Sequence, residues 1–392
     1  MPSSVILSAA RTPVGSFGGA LSSVPAPHLG ATAIQGALER AGVAPDQVSE
    51  VLMGCVVTAG VGQAPARQAA IHAGVPDAVP CMTVNKVCGS GMKTVLLADQ
   101  SIRAGDNDVV VAGGMENMSQ APFLLDKARY GYGYGNGTLV DALFHDGLRD
   151  AYDGNAMGVA ADLCGETCSV PREAQDDFSI ESYTRAQASV ENGAFAQEIV
   201  PVTVKGRKGD TVVETDEEPF KTNFDKIPQL RPVFTKEGTV TAANASTIND
   251  GAAALVVASD AWAEAHGKTP LARIVATAQH SQKPVEFTTA PIGAIEKVLE
   301  KARLTLDDID LFEINEAFAV VALAAQDALG ISHDKLNVRG GAVAVGHPIG
   351  ASGARILTTL LYAMEERGAT RGLAAICIGG GEATALIVER DA

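Results

Sequence analysis

The hydrophobic and polar positions of this chain predict short strands that alternate with amphipathic helices. Near the start, the apolar run VILSAA predicts a strand. At Cys88 a strand-like run ends, and apolar residues then recur at helical spacing from Met92 to Ile102, where Gly105 closes the pattern. Near the other end, an apolar strand leads Cys377 directly into three consecutive glycines. The pattern predicts an α/β fold.

A weak internal repeat indicates that the chain has two similar halves. VCGSGMKTVLLADQSIRAG is followed by the strand DVVVAGG, and HPIGASGARILTTLLYAMEERG is followed by LAAICIGGG. Each copy contains a loop, a Ser-Gly pair, an amphipathic helix, a strand and glycines. The repeat predicts two duplicated α/β domains that pack face to face, so that the loops of both halves converge.

Residues 119–248 interrupt this repeat and predict an inserted lid. The insertion holds GYGYGNG, the charged stretch KGRKGDTVVETDEEPFK, and a polar, amphipathic helix whose start is marked by Ser169, Pro171 and Glu173. That helix pattern runs to Asn192. GYGYGNG lacks the leading strand and following helix of a dinucleotide-binding loop, so it predicts a cover or a subunit contact. The predicted domains are an N-terminal domain of residues 1–118 plus 249–268, the insertion 119–248 and a C-terminal domain of residues 269–392.

The composition is that of a soluble enzyme with substantial cores, with 392 residues, 46% hydrophobic and 19% charged. A net charge of −16 argues against a nucleic-acid or anionic-membrane partner, since both need concentrated Lys and Arg. No apolar run of about 18 residues and no charged leader before an apolar segment is present, so neither a membrane span nor a secretory signal is predicted. A transit peptide that had been removed would leave no trace, so an organelle stays open as an alternative to the cytoplasm.

The six cysteines contain no CxxC pair and no short repeating framework. This spacing favours a reducing compartment over a disulfide scaffold, and we expect a cytoplasmic protein. Cys164 and Cys168 share a predicted helix face, but two thiols without a histidine at ligand spacing make a poor zinc site. We therefore expect no structural metal.

Three segments carry candidate chemistry. His347 is the group able to move protons in Gly340–Gly353, a loop whose glycines permit close approach to a ligand. The predicted helix N-terminus beside Cys88 favours the nucleophilic thiolate. The turn after Cys377, Gly379–Gly381, can aim N–H groups at an anion, while the thiol itself could act as an acid or a base. Taken singly, each segment is compatible with a structural role; together they indicate a catalytic site.

The segments NKVCGSGMK, NEAFA, GGAVAVGHPIGASG and CIGGG resemble the signature regions of the thiolase family. The resemblance extends from SAARTPVGSFGG through TAANASTINDGAA to the last strand. It implies a thiolase-like fold, with two duplicated α/β domains in a layered αβαβα arrangement and an inserted loop domain. It also implies the reversible Claisen condensation of two acetyl-CoA to acetoacetyl-CoA plus CoA, in which coenzyme A is a substrate and no cofactor takes part.

The resemblance implies a role for each candidate. Cys88 takes an acetyl group from acetyl-CoA, and His347 is the base that activates it. Cys377 then removes an α-proton from a second acetyl-CoA, and the enolate attacks the acetyl-enzyme. One oxyanion hole resembles His347 with a water held by Asn315, and the other consists of the backbone N–H groups of Cys88 and Gly379.

Matching positions also imply where coenzyme A binds. Ser246 corresponds to a serine that contacts pantetheine, and Lys221 is the expected partner of the phosphate or nucleotide. Phe287 lies beside the acyl pocket, where its size favours small acyl groups. The remaining tunnel positions are apolar: Leu148, Met157, Phe234, Ala242 and Phe318. Two departures from the family pattern are Ala156, where many members have His, and Phe220, where potassium-binding members have Tyr.

Two other functions remain as alternatives. A degradative 3-ketoacyl-CoA thiolase would share the catalytic residues and differ in pocket depth near Met157 and Phe287. A non-catalytic acyl-CoA or lipid carrier on the same scaffold could dispense with Cys88, His347 or Cys377, all of which are present. The expected partners are acetyl-CoA, acetoacetyl-CoA, CoA and further copies of the chain in a homotetramer, a dimer of dimers.

Overall fold

The computed structural model describes residues 3–391, in which strands and helices alternate as the hydrophobic pattern predicts. The strands are β1 (Ser4–Arg11), β2 (Gly15–Ser16), β3 (Glu50–Gly54), β4 (Cys81–Val84), β5 (Val109–Asn117), β6 (Phe123–Leu124), β7 (Val140–Asp141), β8 (Val202–Val204), β9 (Thr211–Val213), β10 (Asn249–Ser259), β11 (Ala272–Ser281), β12 (Leu311–Ile314), β13 (Arg371–Ile378) and β14 (Glu382–Glu389). The helices are α1 (Ala26–Ala41), α2 (Pro65–His72), α3 (Ser90–Ala104), α4 (Met157–Thr167), α5 (Arg172–Glu191), α6 (Asp260–Ala265), α7 (Ala290–Ala302), α8 (Ala319–Leu329), α9 (Ala342–Val345) and α10 (Ser352–Arg367). None of the helices within residues 3–391 has the length and apolar character needed to cross a membrane.

One mixed sheet contains the duplication that the internal repeat predicts. Its strand order is β12-β13-β14-β11-β1-β10-β5-β3-β4, and β2 pairs with β10. In one half, β1 pairs antiparallel with β10, β10 antiparallel with β5, and β5 parallel with β3. In the other half, β11, β14, β13 and β12 repeat the same antiparallel, antiparallel, parallel series. The halves meet where Val5 pairs with Arg273 and Ile6 with Ala272.

Helices cover both faces of the sheet, which is why its strands are apolar at nearly every position. In β5, Val110 and Ala112 belong to a central core cluster with α3 and α10, whereas Val109 and Val111 belong to an outer cluster with α1 and α2. Strand β13 alternates in the same way between the central cluster and an outer cluster with α7 and α8. Because both halves turn one face toward α3 and α10, these two helices form the middle layer. The predicted αβαβα arrangement is confirmed.

Helix α3 ends where the sequence predicts, and α10 ends in the same manner. Gly105 follows α3 in a left-handed conformation with φ 84°, and its N–H bonds to the Ile102 carbonyl at 3.0 Å. Gly368 ends α10 in the same way, with φ 62°. At their other ends, α3 begins two residues after Cys88 and α10 begins five residues after His347. Both candidate loops therefore lead into the N-terminus of a central helix.

Residues 119–248 leave the main sheet and contain two small sheets, β6–β7 and β8–β9, together with α4 and α5. The predicted helix is confirmed as α5, which follows Pro171 and is capped by Asn192. The amphipathic pattern predicted for it is wrong, because its buried face is largely polar and includes Ser179 and Ser189. Each of these hydroxyls donates to a carbonyl one turn earlier in the helix, so the face can be buried without unsatisfied donors.

The GYGYGNG loop forms neither strand nor helix, and Tyr132 and Tyr134 are exposed on it. None of its residues, all of which the structure describes, lines the cavity found next to Cys88. This position disfavours the cover role and leaves the subunit contact as a prediction. The limits of the three predicted domains likewise remain predictions.

A buried ionic cluster fastens the insertion to β1. Arg11 Nε lies 2.6 Å from Glu198 Oε1, and its two terminal nitrogens lie 2.7 and 2.9 Å from the carboxylate oxygens of Asp216. Glu198 also accepts a hydrogen bond from Thr359 of α10 at 3.0 Å and pairs with Arg339 at 3.4 Å. Because each charge has an opposite partner and hydrogen bonds, the cost of burying it is offset.

Candidate active site

A cavity of about 530 Å³ lies between the insertion and the loops that precede α3 and α10. Its walls are mainly apolar with a few polar groups, as is usual for sites that bind organic ligands. Three of the predicted catalytic residues line it: Cys88, His347 and Gly379. So do seven of the eight predicted substrate-contacting residues: Leu148, Met157, Phe234, Ala242, Ser246, Phe287 and Phe318.

Side-chain hydrogen bonds shape the loop that presents Cys88. Asn85 Oδ1 accepts the N–H of Val87 at 3.0 Å. Ser90 Oγ accepts the N–H of Lys86 at 2.8 Å and donates to the Val87 carbonyl at 2.7 Å. These bonds hold Val87 at φ 46°, which a β-branched residue rarely adopts. Strain of this kind is typical of functional turns, and here it precedes the side chain of Cys88 at the cavity.

The backbone N–H groups of Cys88 and Gly379 lie near enough to the Cys88 sulfur to stabilise its thiolate form. Burial raises the pKa of Cys88 to about 11, although the two N–H groups lower it, and the carboxyl of Glu116 raises it further. The expectation that a helix N-terminus keeps Cys88 ionised is therefore wrong, because the loss of solvation outweighs the local dipoles. The free protein holds a thiol, and a base is needed to activate it.

Ser352 fixes the tautomer of His347. Ser352 Oγ donates to the Pro348 carbonyl at 2.9 Å, so in its 2.6 Å contact with His347 Nδ1 the hydroxyl oxygen accepts the Nδ1 proton. Nε2 then carries no proton, and it has no hydrogen-bond partner among the described residues. Since His347 lines the cavity, this nitrogen can take a proton from a group there.

His347 is neutral at physiological pH. Burial, together with the positive charge of Arg355, lowers its pKa to about 3. Arg355 is buried on α10, one turn beyond Ser352, with Glu313 as a counter-charge 3.6 Å away. The neutral imidazole is the form that a general base requires.

Asn249, which the sequence analysis did not identify, anchors the loop that carries His347. Its Oδ1 accepts the His347 N–H at 2.8 Å, and its Nδ2 donates to the Gly15 carbonyl at 3.0 Å. Gly346 has φ 107°, and a Cβ at that position would lie 2.5 Å from the Asn249 amide. Only glycine permits this approach. In the sequence, the glycine directly before His347 was therefore the feature that could have indicated a close contact at this position.

Glu116, also missed, joins the His347 loop to the loop after β3. Its carboxylate accepts the N–H groups of Val56, Val57 and Gly350 at 3.0, 3.1 and 2.9 Å. Burial raises the pKa of Glu116 to about 7, while these N–H groups lower it. An acidic residue at the end of the apolar strand VVVAGGMEN could have indicated such a role, since a buried carboxylate requires hydrogen-bond donors.

Cys377 and Asn315 are buried and do not line the cavity. Burial raises the pKa of Cys377 well above its ordinary value, and the neighbouring Cys88 thiol raises it further. Asn315 follows β12, where its N–H bonds to the Ala375 carbonyl of β13 at 3.0 Å. Both amide atoms of its side chain are buried without a hydrogen-bond partner in the described part of the chain. The two residues thus occupy adjacent strand ends, close to the turn that brings Gly379 into the cavity.

Lys221 is the one predicted substrate contact that does not line the cavity. Its side chain is 50% exposed and lies 3.9 Å from Glu218. Its ammonium group also contacts the hydroxyl of Ser16, and both Ser16 and Glu218 belong to the cavity lining. Lys221 is therefore placed at the edge of the cavity.

Two of the remaining cysteines lie beside each other at the end of α4. Cys164 and Cys168 are confirmed to share a helix face, with their sulfur atoms 3.8 Å apart. Within residues 3–391, no cluster of three or more His, Cys, Asp or Glu side chains could hold a metal ion. All six cysteines are free thiols.

The groups at the cavity are those that acyl transfer through a thioester needs. A thiol can supply the nucleophile, a neutral imidazole can take its proton, and two backbone N–H groups lie near the sulfur. Such paired donors stabilise the negative charge that develops on an acyl oxygen during attack.

Two family models match the chain: the thiolase N-terminal domain matches residues 4–261, and the thiolase C-terminal domain matches residues 268–390. A probable acetyl-CoA acetyltransferase of Dictyostelium discoideum is 51% identical over 391 residues, which cover 100% of this chain and 94% of that protein. An acetyl-CoA acetyltransferase of Cupriavidus necator is 54% identical over 388 residues, 98% of this chain and 99% of that protein. An acetyl-CoA acetyltransferase of Schizosaccharomyces pombe is 51% identical over 387 residues, 98% of each chain.

Proposed function

Because the chain belongs to the thiolase family, we propose that it is an acetyl-CoA C-acetyltransferase, which interconverts two acetyl-CoA with acetoacetyl-CoA and CoA. One observation carries this proposal beyond the family. Cys88, Gly379 and the neutral His347 line one cavity, and the N–H groups of Cys88 and Gly379 lie near the Cys88 sulfur. Nucleophile, base and oxyanion donors therefore face the same small volume.

In the cleavage direction, Cys88 attacks the 3-keto carbon of acetoacetyl-CoA while its proton passes to Nε2 of His347. The N–H groups of Cys88 and Gly379 bind the oxyanion, and each such donor contributes about 3 kcal/mol of barrier lowering. The carbon–carbon bond then breaks, leaving an acetyl group on Cys88. The departing enolate takes a proton from the thiol of Cys377 and leaves as acetyl-CoA. The imidazolium of His347 and a water held by Asn315 stabilise the enolate oxygen before this protonation.

The second half regenerates the enzyme. The Cys377 thiolate takes the thiol proton of an incoming CoA, and the resulting CoA thiolate attacks the acetyl-Cys88 carbonyl. Cys88 leaves as a thiolate and recovers its proton from the His347 imidazolium. All three groups are then in their starting protonation states, and condensation is the same series reversed.

The pKa values support this order of events. Burial disfavours a lone charge on Cys88 or on His347, so the proton moves as the sulfur attacks, when the charge is already passing to the substrate oxygen. The raised pKa of Cys377 keeps it a thiol, which is the form able to protonate the enolate. A buried, dry site also protects the enolate from unproductive protonation.

The cavity lining favours a substrate with a short acyl group and a long pantetheine arm. The Cε atom of Met157 lies 3.4 Å from the position that a Cβ on Gly379 would occupy. Phe287, 2% exposed, belongs to the same core cluster as Cys377. These two side chains limit the space beyond the reacting carbon. The apolar lining toward Leu148 and Phe234, with Ser246, takes the arm, and Lys221 at the edge takes the phosphate or nucleotide.

Assembly and location belong to the same proposal. A homotetramer is supported by exposed apolar side chains, with Phe123 64% and Leu139 62% exposed next to the GYGYGNG loop. Strand β4 also lies at an edge of the sheet, where Met82 is exposed. Six free thiols support a reducing compartment, and we assign the protein to the cytoplasm.

The deciding experiment measures thiolysis of acetoacetyl-CoA, 3-ketohexanoyl-CoA and 3-ketohexadecanoyl-CoA by CoA. We expect the highest kcat/KM with acetoacetyl-CoA and loss of activity in Cys88→Ala. Cys168→Ala, which changes an exposed thiol outside the cavity lining, is the matched control and should retain activity. Equal or better turnover of the longer chains would instead assign a degradative 3-ketoacyl-CoA thiolase, and no turnover of any substrate would assign an acyl-CoA carrier.

A further inference from the structure

An ion pair between Lys86 and Glu382 joins the two loops that supply the N–H groups around the Cys88 sulfur. Lys86 lies two residues before Cys88, and Glu382 lies three residues after Gly379. Both side chains are partly shielded from solvent, with 21% of Lys86 and 34% of Glu382 exposed. The ion pair therefore connects the two loops that form the predicted oxyanion hole, and it lies outside the cavity.

The turn that carries Gly379 is the three-residue end of the β13–β14 hairpin, in which Ile378 pairs with Glu382. Gly380 and Gly381 have φ of 92° and 86°, and neither has a side chain to anchor. Glu382 is the first side chain after the turn, and its carboxylate also accepts a hydrogen bond from Ser281 at 3.2 Å. One backbone bond, from the N–H of Gln282 to the Gly381 carbonyl at 2.8 Å, holds the turn from the opposite side.

The Cys88 loop and this turn also touch directly. A Cβ on Gly89 would lie 2.3 Å from Cδ1 of Ile378, so the backbone at Gly89 packs directly against the Ile378 side chain, just before the turn. A small shift of either loop would change the separation of the Cys88 and Gly379 N–H groups. Oxyanion donors act only within about 2.7–3.1 Å of the charged oxygen, so their separation is tightly constrained.

We propose that Lys86 and Glu382 are positioning residues, which hold the Cys88 loop and the triple-glycine turn at the spacing at which both N–H groups bind one acyl oxygen. The proposal rests on the proposed acetyltransferase function. It assigns neither residue a contact with the substrate, and it predicts a defect in turnover rather than in CoA binding.

The test compares Glu382→Gln, Lys86→Gln and the double variant in acetoacetyl-CoA thiolysis. Loss of a whole oxyanion donor costs about 100- to 1,000-fold in kcat, and we expect misalignment to cost about tenfold, with KM for CoA within about twofold of wild type. Each single variant and the double variant remove the same ion pair. The double variant should therefore be no slower than the slower single variant. The reversal Lys86→Glu with Glu382→Lys should recover kcat to within about threefold of wild type.

Glu389→Gln is the matched control. Glu389 lies at the other end of β14, has the same 34% side-chain exposure and pairs with Arg371, but it does not line the cavity. It should melt at the same temperature as Glu382→Gln while keeping the kcat of wild type. An unchanged kcat in Glu382→Gln, an equal loss in Glu389→Gln, additive losses in the double variant, or no recovery on charge reversal would overturn the proposal. A wild-type enzyme without thiolysis activity would refute the proposed function itself, and the positioning role with it.

Discussion

The Oγ atom of Ser352 lies 2.6 Å from Nδ1 of His347 and fixes which imidazole nitrogen can act as a base. Removing this acceptor in Ser352→Ala leaves the Nδ1 proton unpaired and both tautomers accessible. We expect kcat for acetoacetyl-CoA thiolysis to fall about 10- to 100-fold, with little change in KM for CoA. Thr358→Val is the control, because that hydroxyl donates to the Ala354 carbonyl within α10 and has no contact with His347. Equal losses in both variants would contradict the role of Ser352.

The buried carboxyl of Glu116 makes stability depend on pH. Its pKa is raised to about 7 in the folded protein, from an ordinary value of 4.5. Between these values the folded state holds a proton that the unfolded state lacks, so stability falls as pH rises. From this group we expect a decrease of about 3 kcal/mol in the free energy of unfolding between pH 4.5 and pH 7.

Urea denaturation of wild type and Glu116→Gln at pH 5 and pH 8 measures this contribution. Glutamine keeps one oxygen and replaces the other by an NH2 group, so the variant loses an acceptor for part of the set formed by Val56, Val57 and Gly350 N–H and should be less stable overall. It should nevertheless lose less stability than wild type between the two pH values. A pH dependence as steep in the variant as in wild type would show that Glu116 is ionised throughout.

The cluster around Arg11 should be among the most sensitive parts of the fold. Asp216→Asn replaces a carboxylate that binds both terminal nitrogens of Arg11 and leaves a buried cation only partly neutralised. We expect a loss of about 3–5 kcal/mol in the free energy of unfolding. In Asp210→Asn, where the pair with Lys205 leaves 82% of the lysine and 44% of the aspartate side chain exposed, we expect a loss under about 1 kcal/mol. Chemical denaturation of both variants makes the comparison, and similar losses would refute the ranking.

Met157 should restrict the length of the acyl group. Met157→Ala removes the side chain that approaches Gly379, and extra room there favours longer substrates. We expect the ratio of kcat/KM for 3-ketohexanoyl-CoA over acetoacetyl-CoA to rise about tenfold, which is typical when a pocket gains space for one or two methylene groups. Val212→Ala, at an exposed site on β9 outside the cavity lining, should leave the ratio unchanged. An unchanged ratio in Met157→Ala would place the limit elsewhere in the cavity.

The sequence predicted what depends on local pattern. The strand and helix units around Cys88 and Cys377, and the glycine that ends α3, follow from spacing and composition over fewer than about 20 residues. The loops that carry Cys88 and His347 were found because glycine-rich segments are visible in a linear chain. Seven of the eight predicted substrate contacts line the cavity, but those positions came from the family resemblance rather than from pattern.

What the sequence could not predict depends on contacts between distant positions. Asn249 and His347 are 98 positions apart, and Glu116 and Gly350 are 234 positions apart, so no local pattern connects them. The ionisation of Cys88 was predicted with the wrong sign for the same reason. A helix N-terminus is a local feature, whereas the desolvation that raises the pKa of Cys88 depends on how all the surrounding elements pack.

The duplicated sheet divides the proposed catalytic residues between non-equivalent copies of one unit. The copy that contains α3 contributes Cys88, whereas the copy that contains α10 and β13 contributes His347 and Cys377. Neither copy carries all of these residues, so we expect one half on its own to have no activity. Activity should therefore require the two halves to pack together. A truncation that keeps all the proposed catalytic side chains but loosens the β1–β11 junction should abolish turnover as completely as Cys88→Ala.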